Sequence, residues 1–162
     1  MFGSCMVVRN SQCLESIAGE VDSSARIAVE HSDIPVSSRL EFKRKLELRT
    51  KEFAVSVFKL LDALPTKNST KVIAYQLGKS ASSVGANYRE ANRSESGDDF
   101  RHKTSIVLKE ADESLYWLEV LGELYPTHDV IRTLAAECEE LLRLFQRITR
   151  TSRERARMKK PT

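Results

Sequence analysis

The side chains able to do covalent or metal chemistry are few and scattered. Cysteines stand at Cys5, Cys13 and Cys138, and histidines at His31, His102 and His128. The odd cysteine count and these gaps match no zinc spacing. No histidine is followed by a second ligand at i+3 or i+4, so neither a metal nor another cofactor is expected. Cys138 lies among apolar residues at helical spacing and reads as a small core residue rather than a nucleophile. The densest polar chemistry is in "SVGANYREANRSES", Ser83 to Ser96. At 100° per residue, Asn87 falls on the same side as Val84, Tyr88 and Ala91, and Arg89 and Arg93 fall opposite. An inward Asn87 needs hydrogen-bond partners. Glu110 and Glu113 are the candidates, and the three together are expected to form a structural polar core. A catalytic Asn–Glu pair would need a nucleophile, histidine or metal ligand beside it. None is clustered there, so no catalytic residue is expected and an enzyme is the weakest reading.

The other candidate chemistry is cationic. Arg89, Arg93, Arg101 and Lys103 cluster in sequence around one chain reversal, which equally describes a solvated face. The C-terminal stretch carries Arg150, Arg153, Arg155, Arg157, Lys159 and Lys160. Residues 143–162 hold eight Lys or Arg and one Glu, a net of +7, which leaves −4 for the other 142 residues of a +3 chain. Such a segment suits phosphate neutralisation, which is electrostatic and sequence-tolerant. Tentative nucleic-acid contacts are therefore Arg89, Arg93 and the six C-terminal cations. Base-stacking aromatics, the usual companions in RNA recognition, do not flank them.

The elements that must position these residues read as helices. A chain of 162 residues with 41% apolar and 30% charged residues fits one soluble domain. It has no apolar run long enough for a membrane span and no signal-peptide pattern at its start, so a cytoplasmic location is expected. Residues 1–38 are acidic and serine-rich without a lasting apolar period; they read as a weakly ordered extension, with a short helix near Cys13–Ala18. From Leu40 the apolar period becomes 3.6. The first core stripe is Phe42, Leu46, Phe53, Val57, Leu60 and Leu64; the second is Ile73, Leu77, Ser80, Val84, Asn87, Tyr88 and Ala91. The third is Phe100, Val107, Ala111, Leu115, Leu118 and Leu121; the fourth is Val130, Leu134, Cys138, Leu141, Phe145 and Ile148. "LPTKNST", "RSESGDD" and "YPTHD" separate them, with Asn68 or Ser69, Ser96 and Thr127 as N-caps. Short linkers make neighbours antiparallel. The expected fold is all-α, an up-down-up-down four-helix bundle over residues 39–152, followed by a basic tail at 153–162.

Two details bear on assembly. The small residues from Ser80 to Ala86 let a neighbouring backbone approach, and Gly85 suggests a contact with no room for a side chain. Helix three carries a second apolar stripe, Ile106, Trp117, Val120 and Leu124, where a monomeric bundle needs only one. It is expected to be covered by the N-terminal extension or by another subunit, which makes a homo-oligomer the expectation.

Residues Ser80 to Leu121 closely resemble the bacterial four-helix-bundle proteins related to ribosomal RNA intervening-sequence proteins. The matching positions are Ser82, Val84, Asn87, Arg93, Ser94, Phe100, Glu110, Glu113 and Leu118. The resemblance extends over about residues 40–150; Arg49, Thr50 and Phe53 stand where the family has an aromatic-rich entry to helix one. It implies ring-like homo-oligomers, typically pentamers, with no established enzymatic activity. Some relatives are encoded inside intervening sequences of ribosomal RNA genes. A related branch, the retroelement accessory variability proteins, binds nucleic acid and accompanies a reverse transcriptase, so RNA, DNA or such a protein are implied partners. Two functions follow: a non-enzymatic, RNA-associated homo-oligomer, or a protein-interaction scaffold with no nucleic-acid role.

Overall fold

A computed structural model describes residues 36–158. The expected N-terminal extension falls almost wholly outside the described residues, as do Cys5, Cys13, His31, Lys159 and Lys160. Four helices make up the fold: α1 (Val36–Ala63), α2 (Asn68–Ala91), α3 (Gly97–Leu124) and α4 (Asp129–Met158). No strand occurs among the described residues. Each helix packs on its sequence neighbours, and α1 closes the ring against α4. Paired residues give the direction. Ser80 meets Ser114 and Glu90 meets Lys103 between α2 and α3. Cys138 meets the Ala111 carbonyl and Arg153 meets Ser105 between α3 and α4. In both cases one number rises as the other falls, so the helices are antiparallel. The molecule is the expected up-down-up-down four-helix bundle.

Apolar spacing explains the core. Leu46, Phe53, Val57 and Leu60 of α1 meet Leu77, Val84 and Tyr88 of α2, Val107, Leu118 and Leu121 of α3, and Leu134, Leu141 and Phe145 of α4. Tyr88 and Phe145 stack edge to face across it at 5.2 Å, a favoured aromatic geometry. The Ser96 hydroxyl accepts from the Asp99 amide at 3.1 Å, and Asp98 and Asp99 occupy the positive first turn of α3. At the start of α2, the Thr70 hydroxyl accepts from the Lys67 amide at 2.8 Å, so neither Asn68 nor Ser69 is the cap. Helix α4 begins at Asp129, which puts His128 rather than Thr127 beside its first residue.

Several phases differ from the sequence reading. Phe42 is 47% exposed because α1 at that point extends past the core; its first six residues are all exposed. At the entry to α4 the buried residue is Ile131, 1% exposed, and Val130 is 49% exposed. At the far end Thr149 replaces Ile148 as the buried position. A 3.6-residue period drifts against the integer spacings used to read it, so one-residue slips accumulate at helix ends. Gly85 is buried opposite Thr50, but an added Cβ would lie 3.4 Å from the Thr50 hydroxyl and 3.6 Å from its carbonyl carbon. That is ordinary contact, so the close approach expected at Gly85 is not there. The tighter glycine is Gly78, where a Cβ would come within 3.1 Å of the Phe58 ring.

Candidate functional site

The expected polar core resolves differently. Asn87 is half-buried, and its amide donates at 2.9 Å to the Ser83 carbonyl of its own helix. No hydrogen bond joins it to Glu110 or Glu113. Glu113 instead lies 3.5 Å from the Trp117 indole nitrogen, and one Glu110 carboxylate oxygen is buried without a partner. The reason is angular: Asn87 sits at the edge of the α2 core stripe, where its short amide reaches its own backbone before it reaches α3. The buried polar contact between α2 and α3 is made two helical turns earlier on the same stripe. Ser114 donates to Ser80 at 2.9 Å, and both are fully buried. Small hydroxyls among the alanines and glycines of α2 are the signal that could have located it.

Cys138 is fully buried, with its thiol 3.3 Å from the Ala111 carbonyl. Burial first, then the surrounding carboxylates, push its pKa up to about 12, far from a reactive thiolate. Among the described residues, no group of His, Cys, Asp and Glu is placed to hold a metal ion. None of their helices is long and apolar enough to cross a membrane.

The second stripe of α3 is only partly free. Trp117 and Val120 pack against the core of their own bundle, Ile106 is half-buried, and Leu124 is 50% exposed. Other large apolar side chains are exposed too: Leu48, Val55 and Phe58 on α1, Val72 and Tyr75 on α2, and Tyr116 on α3.

The cations are brought together by topology. In an up-down bundle the C-terminal end of α2, the N-terminal end of α3 and the C-terminal end of α4 share one pole. Arg89 and Arg93, Arg101 and Lys103, and the α4 arginines from Arg150 to Arg157 stand at that pole. Part of this charge is neutralised locally: Arg101 pairs with Asp98 and Lys103 with Glu90. Arg89 and Arg93 are exposed, and the Arg93 guanidinium donates to the Arg89 carbonyl at 3.1 Å. They lie on α2, diagonal to α4, so they do not share a groove with the α4 arginines.

The expected tail is the largest change. Residues 153–158 continue α4, so Arg150, Arg153, Arg155 and Arg157 project from a helix. Arg155 and Arg157 also sit in its last turn, where the helix dipole favours cations. Two adjoining hollows run along this part of α4. One, of about 310 Å³, is lined by Arg143, Gln146, Arg147 and Arg150. The other, of about 340 Å³, shares Gln146 and Arg150 and adds Thr149, Arg153 and Arg157, with Leu108 of α3 along its side. Arg143 is engaged by Glu139 and Glu140, Arg150 lies 3.8 Å from Glu154, and Arg153 donates to the Ser105 hydroxyl at 3.4 Å. Arg155 and Arg157 make no ion pair among the described residues, and Arg147 acts on Glu140 only at longer range. The face can attract anions; it contains no group arranged to transfer a proton or attack a substrate.

No curated protein sequence matches the chain. A solved structure from Bacteroides thetaiotaomicron, described as a protein with unknown function from the S23 ribosomal protein family, is similar to it. The identity is 34% and the TM-score 0.59, covering 64% of this chain and 97% of that one. Residues 43–147, from the first turns of α1 to the middle of α4, match the sequence model of a family described as 23S rRNA-intervening sequence protein, and the chain belongs to that family.

Proposed function

We propose that this protein is a non-enzymatic homo-oligomer of the cytoplasm that associates with RNA through the basic pole of its bundle. The observation that carries the reading is the α4 face. The arginines from Arg143 to Arg157 recur about once per helical turn and are held on a helix instead of a loose tail. A rigid row of guanidiniums loses less conformational entropy on binding phosphates than a disordered segment does. Copies of that row in an assembly would multiply the attraction. The family's description, which refers to an intervening sequence of 23S rRNA, points to the same class of partner.

The test is twofold. Sedimentation of the purified chain at micromolar concentration is expected to report an oligomer. Titration of a structured RNA with rising salt is expected to report a log–log slope of roughly −3 to −5 per subunit, at about 0.7 to 0.9 per phosphate neutralised. A monomer removes the assembly part of the reading, and weak binding that ignores salt removes the RNA part. A second reading, a protein-interaction scaffold, is favoured by the exposed Leu48, Val55, Phe58, Val72 and Tyr75. It becomes the better one if RNA does not bind and substitution of Phe58 and Tyr75 by Ser abolishes assembly or partner capture.

A further inference from the structure

The hollow between α3 and α4 has features that a solvated charged face lacks. Its wall includes Thr149, only 2% exposed, whose hydroxyl oxygen is buried and has no hydrogen-bond partner. A threonine in a helix ordinarily donates to the carbonyl one turn back, as Thr50 and Thr104 do here. Thr149 leaves its donor unused beside three guanidiniums, those of Arg150, Arg153 and Arg157. Gln146 adds an amide to the same wall. Ser105, across the groove on α3, already holds the Arg153 side chain toward α3. One buried unused hydroxyl, one amide and three planar cations stand in this hollow against a single carboxylate, Glu154, so donors outnumber acceptors. That is the complement of a phosphate group, which offers only acceptors.

We propose that this α3–α4 groove is the phosphodiester-binding site of the protein, where Arg150, Arg153 and Arg157 engage the backbone of an RNA strand and Thr149 and Gln146 donate to a phosphate seated among them. The inference rests on the RNA reading above and names its site. The three arginines lie beyond residue 147, where the family match ends. Contacts of this kind bind and orient a strand without reading its bases. The adjoining hollow at Arg143 and Arg147 continues the track along α4. Glu154 is the one carboxylate in the groove. It opposes an anion and lies 3.8 Å from Arg150.

The experiment uses the full chain and a fluorescently labelled single-stranded RNA, with binding followed by anisotropy across a salt series. The R150A/R153A/R157A variant is expected to reduce the slope magnitude by about two to three, at 0.7 to 0.9 per lost contact. The R89A/R93A variant, which removes the same kind of charge from α2, is expected to leave the slope within one unit of wild type. Thr149→Val keeps shape and charge and is expected to weaken binding by roughly tenfold at unchanged slope, the loss of one bond to a charged acceptor. Glu154→Gln is expected to tighten binding. Far-ultraviolet dichroism and a melt show that each variant is folded. If Thr149→Val alone fails to fold, Gln146→Leu takes its place as the neutral probe. Wild-type affinity and slope in the triple variant overturn the groove while leaving the RNA reading intact. Failure of the wild-type chain to bind RNA at all overturns both.

Discussion

The seam between α1 and α4 is the slimmest of the four in the bundle, and Arg49 spans it. Its Nε and one terminal nitrogen donate to the two Glu137 oxygens at 2.6 and 2.9 Å, the forked geometry that favours arginine. The two side chains are 28% and 33% exposed. An exposed ion pair contributes about 0.2–1 kcal/mol, and a buried hydrogen bond to a charged group about 1.5–3 kcal/mol. With a third of each side chain in water, solvent screening holds the coupling to about 1–1.5 kcal/mol. Arg49→Ala also strips a half-buried carboxylate of its partner, so the single variant is expected to lose about 1–2 kcal/mol, or about 3–6 °C of melting temperature. The assay is a double-mutant cycle of Arg49→Ala, Glu137→Ala and both together, by urea denaturation followed through helical dichroism. Arg49→Lys is expected to recover less than half, because a point charge cannot make the fork. Additive single losses, with coupling below about 0.3 kcal/mol, would refute the assignment of this pair as the clasp of the seam.

Three further outcomes are expected. Gly85→Ala should stabilise the fold by up to about 1 kcal/mol in thermal or urea unfolding, since the helix gains propensity and the new methyl finds ordinary contact distances to Thr50. Asn87→Ala should cost less than about 1 kcal/mol by the same measurement, because its amide bonds only to the Ser83 carbonyl one turn back. Cys138 should resist alkylation in the native state. Its thiol is held near a pKa of about 12 against an ordinary 9.0, so the folded chain keeps a proton that the unfolded chain releases. Stability is therefore unaffected below about pH 9 and falls between pH 9 and 12, by about 1.4 kcal/mol per pH unit from this group. The raised Tyr88 phenol, buried in the core, contributes in the same direction. Comparison of the alkaline slopes of wild type and Cys138→Ala isolates the thiol's share.

The apolar period by itself determined that this chain makes four amphipathic helices, because burial of a stripe every 3.6 residues is a local consequence of helical geometry. Short polar linkers then left antiparallel packing as the economical arrangement, and Ser96 marked the start of α3 through a bond to its own neighbour Asp99. The basic excess of the C-terminal stretch was also legible, since charge is a property of composition. What only the tertiary structure decided depends on which faces meet. The polar pair between α2 and α3 is Ser80 with Ser114 rather than Asn87 with a glutamate; Ser80 and Asn87 share a stripe two turns apart, and which of them meets a polar group on α3 depends on the register of the two helices, which spacing within α2 does not carry. The stripe through Trp117 and Val120 finds partial cover within its own bundle, which depends on how far α3 turns against its neighbours. The arginines after residue 149 carry no apolar stripe of their own, so nothing local announces their helix. They are helical because α4 runs on past its last buried residue, Thr149, and propagating a helix already nucleated costs little. That continuation brings Arg150, Arg153 and Arg157 beside an unused hydroxyl and against α3, a juxtaposition of residues 105–108 with 146–157 that exists only once the bundle has closed.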